Sequence, residues 1–146
     1  MVLSRERKEA CHRLYRHGAL QSFGPGDVVA RGFADIGFEE FFVLHDGSLL
    51  SLTSGRRSEL PLTERHAFFL IPSIDDTVAE IERLGGSITA IERHSDGLQW
   101  SVHLTSNDGQ SKEVEAFSFD EGLMKALGFM VGIDPFQGET SRLRIG

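Results

Sequence analysis

Apolar and polar residues alternate along this chain in two rhythms, and each change of rhythm marks a new element. Leu3, Ala10, Cys11, Leu14 and Tyr15 recur at helical spacing while Arg and Lys fill the other face, which predicts a helix over 4–17. Ser4 stands where an N-cap is needed, and Gly18 ends the run. After the turn cluster FGPGD (23–27), the stretches DVVARGF (27–33), EEFFVLH (39–45) and SLLSLT (48–53) read as strands. That cluster has no following Lys-Ser/Thr, so it does not match a phosphate loop. Asp46-Gly47 predicts a tight type I′ hairpin turn, and residues 54–64 read as a polar connector. HAFFLI (66–71) is apolar on both faces, as expected of a strand covered on both sides.

Two adjacent carboxylates, Asp75 and Asp76, follow that strand, and such pairs suggest metal or acid–base chemistry. Their setting gives them another role. Pro72 ends the strand, and Ser73 with Asp76 has the Ser-x-x-Asp spacing of a capping box. Ile74, Val78, Ile81 and Leu84 then form one helical stripe, closed by Gly85 and Gly86. Both aspartates thus occupy a first helical turn, where free N–H groups and the helix dipole favour negative charge. SITAIER (87–93), LQWSVHLT (98–105) and KEVEAFSF (112–119) read as three further strands. In the second of these, Leu98, Trp100, Val102 and Leu104 face one way, and Gln99, Ser101, His103 and Thr105 the other. Asp120 is placed to cap a short last helix, and residues 132–146 read as an extended or mobile tail. The expected architecture is one α+β domain over 1–131: a curved, mostly antiparallel sheet of about seven strands, with a helix near each end of the domain.

Charge narrows the partners. The formal net charge is −7, which disfavours nucleic acid and anionic membranes, because both are bound by neutralising phosphates with Lys and Arg. Arg5, Arg7, Lys8, Arg13 and Arg16 nevertheless crowd the first helix, leaving the rest of the chain more acidic still. Such a run reads first as a solvated helix face, and otherwise as a helix suited to dock on its own acidic body or on that of a second copy. Cys11 is the only cysteine, so no intrachain disulfide forms; its place on the apolar stripe predicts a buried structural thiol. The opening MVLSRERKEA lacks a signal-peptide apolar region and no apolar run reaches membrane-spanning length, so a cytoplasmic protein is expected.

Residues 66–119 therefore read β-α-β-β-β. Their wording resembles the second module of the vicinal oxygen chelate superfamily, which includes glyoxalases and extradiol dioxygenases. The matching features are His66, the strand 67–71, Ile74-Asp75-Asp76, Leu84-Gly85-Gly86, Asp108-Gly109 and a Glu-bearing last strand with Glu113 and Glu115. Residues 4–53 look like a first module without its opening strand. The resemblance implies a metal site drawn from four strands, of which this sequence supplies only His66 and Glu113 or Glu115. Two ligands hold a divalent ion weakly, so no metal is expected unless a subunit interface completes the site.

No other arrangement of His, Cys, Ser or Gly matches a catalytic motif; His12 and His17, five apart, diverge on a helix. Glu115 stands out because it shares a strand face with Phe117 and Phe119, where a carboxylate needs a partner. The functional expectation is a small-molecule-binding module of the superfamily type with contacts from His66, Trp100, His103 and Glu115, and with no reaction assigned. The rival is a non-enzymatic, homodimeric protein-interaction module with a ferredoxin-like α+β fold, because a missing first strand leaves a sheet edge unpaired.

Overall fold

The computed structural model describes residues 4–33 and 37–137, apart from the side chains of Phe33 and Leu62. The chain divides into two compact units, Met1–Pro72 and Ser73–Gly146. The α+β class is as the patterning predicts. The expected single sheet gives way to eight strands in two antiparallel sheets, one of five and one of three.

In the first unit, helix α1 (Arg5–Arg16) starts where Ser4 Oγ accepts from the Arg7 N–H, and it buries Ala10, Cys11 and Leu14. Strands β1 (Val28–Phe33), β2 (Gly37–Val43), β3 (Leu49–Ser51), β4 (Arg57–Ser58) and β5 (Phe68–Ile71) assemble in the order β4-β3-β2-β1-β5. The helix lies on the face bearing Phe38, Glu40 and Phe69. There His12 stacks on Phe69 at 4.8 Å, and Phe38 meets the same ring edge-on at 5.4 Å. The basic helix thus docks on its own unit, and Lys8 reaches Glu40 at 3.2 Å. On the other face Val29, Phe41, Val43, Leu49 and Phe68 form a buried core capped by Phe23 and Leu60. Residues 68 and 69 are each 1% exposed on opposite faces, so this strand is covered on both sides.

Two local readings need correction. The polar connector contains β4 and a 3-10 helix, Leu62–Ala67, so His66 precedes the strand rather than opening it. The Asp46-Gly47 turn is not type I′, which would need positive φ at both residues; only Gly47, at +87°, is left-handed. Gly47 N–H donates to the Leu44 carbonyl and Leu44 N–H to that of Ser48, making a type I turn closed by a glycine bulge. Asn107-Asp108-Gly109 repeats the device; at Ser95-Asp96-Gly97 the glycine N–H again donates three residues back, to the His94 carbonyl, but the closing bond runs from His94 N–H to the Gln99 carbonyl. In all three, the Asp side chain accepts from the N–H two residues on.

In the second unit, helix α2 (Ile74–Arg83) opens with the predicted capping box. Asp76 N–H donates to Ser73 Oγ, and Ser73 N–H donates to Asp76 Oδ2, both at 3.0 Å. One member of the predicted stripe differs: Ile74 is 48% exposed, and Thr77 is buried in its stead, its hydroxyl bonded to the Ser73 carbonyl. Strands β6 (Gly86–Arg93), β7 (Trp100–Ser106) and β8 (Ser111–Ala116) form the three-stranded sheet, with a bulge in β6 between Ile88 and Ala90. Helix α3 (Phe119–Val131) is capped by Ser118, not Asp120; Ser118 Oγ accepts from Glu121 N–H while Glu121 accepts from Phe117 N–H. Residues 132–137 turn back on the helix with Pro135 buried, and the rest of the expected tail, 138–146, lies outside the described residues. No helix among the described residues is long and apolar enough to cross a membrane.

Candidate functional site

The four predicted contact residues belong to different settings. His66 is in the first unit, at the end of the 3-10 helix. Its carbonyl accepts from Tyr15 Oη at 3.2 Å, and the residue is exposed. Neighbouring Arg65 is more firmly held, with its guanidinium 4.1 Å above the Phe23 ring and bonded to the Phe23 carbonyl. Trp100, His103 and Glu115 are in the second unit, and the β7–β8 register sorts them by face.

His103 pairs with Glu113, and Ser101 with Glu115. Side chains alternate across a strand, so Ser101, His103, Glu113 and Glu115 share the outer face of the sheet. The other face carries Trp100, Val102, Leu104, Val114 and Ala116 and receives α3; Trp100 meets Phe119 edge-on at 5.7 Å. The structure therefore brings His103 and Glu115 to one side as diagonal neighbours and sends Trp100 to the other. Glu115 is exposed, and Phe119, expected on its face, belongs to α3 instead.

The outer face has a polar centre. His94 Nε2 lies 2.7 Å from the hydroxyl of Ser101, which is 1% exposed. His103 Nε2 is shielded from solvent without a hydrogen-bond partner, 3.7 Å from Glu92 Oε1 and 4.0 Å from Glu113 Oε1. Protonated, this imidazole sits between two carboxylates. No three His, Cys, Asp or Glu side chains among the described residues are grouped to hold a metal ion.

At one end of this sheet the character changes. Phe117 is 74% exposed and Leu98 67% exposed, flanking the rung of Trp100 and Ala116. Arg93 lies over the Trp100 ring at 5.6 Å and donates to the Gly97 carbonyl. The pattern of alternation marks Leu98 and Phe117 as strand residues; the structure leaves both just outside the ladder, largely uncovered by the described residues.

A groove of about 400 Å³ in the first unit was not foreseen. It is lined by Asp46, Gly47, Ser48 and Arg57–Leu60, at the β2–β3 turn and β4. Ser48 donates to Asp46 from its hydroxyl at 2.6 Å and from its N–H at 3.0 Å. These bonds, aided by Arg57, hold the Asp46 carboxyl down at about 2. Arg57 also donates to Ser48 Oγ, so its charge is turned inward to this cluster. The sequence signal was only Asp-Gly, which reads as a turn; the approach of Arg57 depends on the unpredicted β4. Cys11 is buried, and burial pushes its thiol up to about 12, which removes it as a nucleophile.

Comparison with protein-family models, with curated proteins and with solved structures finds no match for this chain.

Proposed function

We propose that this protein is a non-enzymatic interaction module that pairs with a second copy of itself through the apolar end of the three-stranded sheet. The observation that carries the reading is the exposure of Phe117 and Leu98 beside Trp100. Large apolar side chains left exposed at one end of a sheet mark association sites. Charged residues of both signs stand close to them in sequence, Arg93 and Asp96 before Leu98 and Asp120 after Phe117. A two-fold contact sets unlike charges from the two copies against each other around an apolar centre. The alternative of pairing through the β5 edge is less favoured. β5 is an edge, but three of its four residues are almost fully buried, main chain included.

Light scattering coupled to size-exclusion chromatography tests this over a concentration series. The natural chain is expected at twice its monomer mass, and a Phe117→Ser/Leu98→Ser variant at the monomer mass. A natural chain that stays monomeric at the highest concentration retires the reading.

A second reading, small-molecule binding of the superfamily type, draws on one observation: the unpartnered Nε2 of His103 on the face shared with Glu115. Thermal-shift screening of small polar ligands against the natural chain and a His103→Ala variant separates it. Ligands that stabilise only the natural chain support binding at that face.

A further inference from the structure

Strand β8 is an edge of its sheet, and the phase of its pairing decides what that edge offers. Ser106 N–H donates to the Gln110 carbonyl at 2.8 Å, which makes this a bonded rung. Bonded rungs recur at every second pair of an antiparallel ladder, so Leu104–Lys112, Val102–Val114 and Trp100–Ala116 are bonded too. The main-chain groups of Ser111, Glu113 and Glu115 then point away from β7. Two contacts agree with this phase. His94 N–H donates to the Gln99 carbonyl, which turns Gln99 towards β6 and leaves Trp100 for β8. Lys125 Nζ donates to the Glu115 carbonyl at 2.9 Å. Ser111 and Glu113 keep outward N–H and C=O groups that have no strand neighbour among the described residues.

The two faces along this edge ask for different neighbours. On the outer face Glu113 continues the cross-strand row of His103, and Glu115 the row of Glu92 and Ser101. The face that α3 covers carries Lys112, Val114 and Ala116, of which the last two are buried. A strand laid against β8 therefore gains from cations beside Glu113 and Glu115 and from an apolar side chain between them. Lys112 disfavours a uniformly basic strand, because it would then meet a like charge. A second β8 is disfavoured as well. Antiparallel registers that overlap most of the strand set Glu113 against Glu113 or against Glu115.

We infer that the β8 edge binds an extended segment of another protein in which Arg or Lys alternates with aliphatic residues, by adding it to the sheet as a further strand. Main-chain bonds to Ser111 and Glu113 supply the pairing, and the charges along the edge choose the partner. A slip of one residue moves the cations to the α3 side, next to Lys112, so one register is favoured. Lys125 already occupies the Glu115 carbonyl, which centres the segment on Glu113. The inference does not rest on the proposed self-association, which uses the side chains of Leu98 and Phe117 and not this main-chain edge.

Residue-resolved amide hydrogen exchange on the full chain, titrated with acetyl-Thr-Arg-Val-Arg-Val-Thr-amide, tests the pairing. At a free peptide concentration about ten times the measured Kd, the Glu113 amide is expected to exchange about tenfold more slowly than without peptide. Val114, bonded to β7, serves as the internal control and is expected to be unchanged. Two further peptides of the same length separate the causes. Replacing both Arg by Glu is expected to abolish the effect on the natural chain and to restore it on a Glu113→Lys/Glu115→Lys variant. The order Thr-Arg-Arg-Val-Val-Thr keeps the charge but breaks the alternation, and it is expected to bind several-fold more weakly. No slowing of the Glu113 amide by the alternating peptide at any soluble concentration overturns the inference, as does equal slowing by the reordered one. A Glu113 amide already as slow as that of Val114 before peptide is added overturns it too, because the edge is then occupied.

Discussion

Lys8 Nζ lies 3.2 Å from Glu40 Oε1 in the seam between α1 and the first sheet, with only 12% and 8% of the two side chains exposed. Oε1 has no aligned hydrogen bond, so the contact is an ion pair held by charge and proximity. A buried pair of this kind is stabilising relative to its broken forms rather than to an apolar replacement. Lys8→Met or Glu40→Leu alone is expected to lower stability by about 3–5 kcal/mol, since each strands a buried charge. The double variant is expected to lie within about 1 kcal/mol of the natural chain or above it. Urea denaturation of the four proteins checks this, and additive losses in the double variant contradict it.

How far α1 was legible shows where sequence reasoning works. Its cap, the burial of Cys11 and the stripe through Ala10, Cys11 and Leu14 follow from residues within a few positions of one another and are found, while Leu3 of that stripe lies outside the described residues. The same holds for the capping box of α2. Ser118 was missed although Ser118-Phe119-Asp120-Glu121 carries the Ser-x-x-Glu signature, because the Phe residues at 117 and 119 continued a strand-like alternation. What sequence cannot supply is pairing over distance. Whether strands join one sheet or two is set by long-range contacts, and β4 has only two residues, too few for a periodic signal. The candidate contacts suffered similarly. Parity along β7 separated Trp100 from His103 in advance, but only the β7–β8 register placed Glu115 beside His103.

His12 is partly buried against Phe69, and burial, followed by Arg16 and Arg13, depresses its imidazole below the ordinary 6.5. The unfolded chain therefore binds a proton here more readily than the folded chain. The stability due to this site is full above pH 6.5 and falls as the pH drops through the folded value. His12→Phe keeps an aromatic ring over Phe69 and cannot be protonated. Thermal midpoints measured from about pH 8 to about pH 5 are expected to fall less steeply in this variant than in the natural chain. Parallel curves exclude His12 as a source of the acid sensitivity.

Asp46 is the opposite case, a carboxyl lowered to about 2, first by the Ser48 hydroxyl and N–H and then by Arg57. A depressed carboxyl favours the fold above its unfolded value and loses that contribution as pH falls through the folded one. Carbon-detected NMR titration of Asp46 is expected to give a midpoint near 2. Ser48→Ala removes the largest cause and is expected to raise that midpoint towards the ordinary carboxylate range, while Arg57→Gln raises it less. Should Arg57→Gln have the larger effect, the turn's own hydrogen bonds are not the main cause.

Gly86 shows why a glycine can be fixed by packing rather than by backbone angle. It opens β6 just after the left-handed Gly85, and its own φ is ordinary. A Cβ there would lie 2.9 Å from Ile81 Cγ2, 2.9 Å from Met130 Sδ and 3.1 Å from Leu104 Cδ1. Met130 is flexible enough to yield, but Ile81 is branched at Cβ and fully buried, so α2 itself has to move away from the strand. Gly86→Ala is therefore expected to cost about 1–3 kcal/mol, the range for overfilling a packed interior. Gly24→Ala is the control: nothing lies within 4 Å of its Cβ, so the loss of unfolded-state freedom leaves it neutral or more stable. Met130→Ala combined with Gly86→Ala separates the two neighbours. If clearing Met130 cancels the cost of Gly86→Ala, the sulfur and not Ile81 sets the limit on how closely α2, α3 and β6 approach.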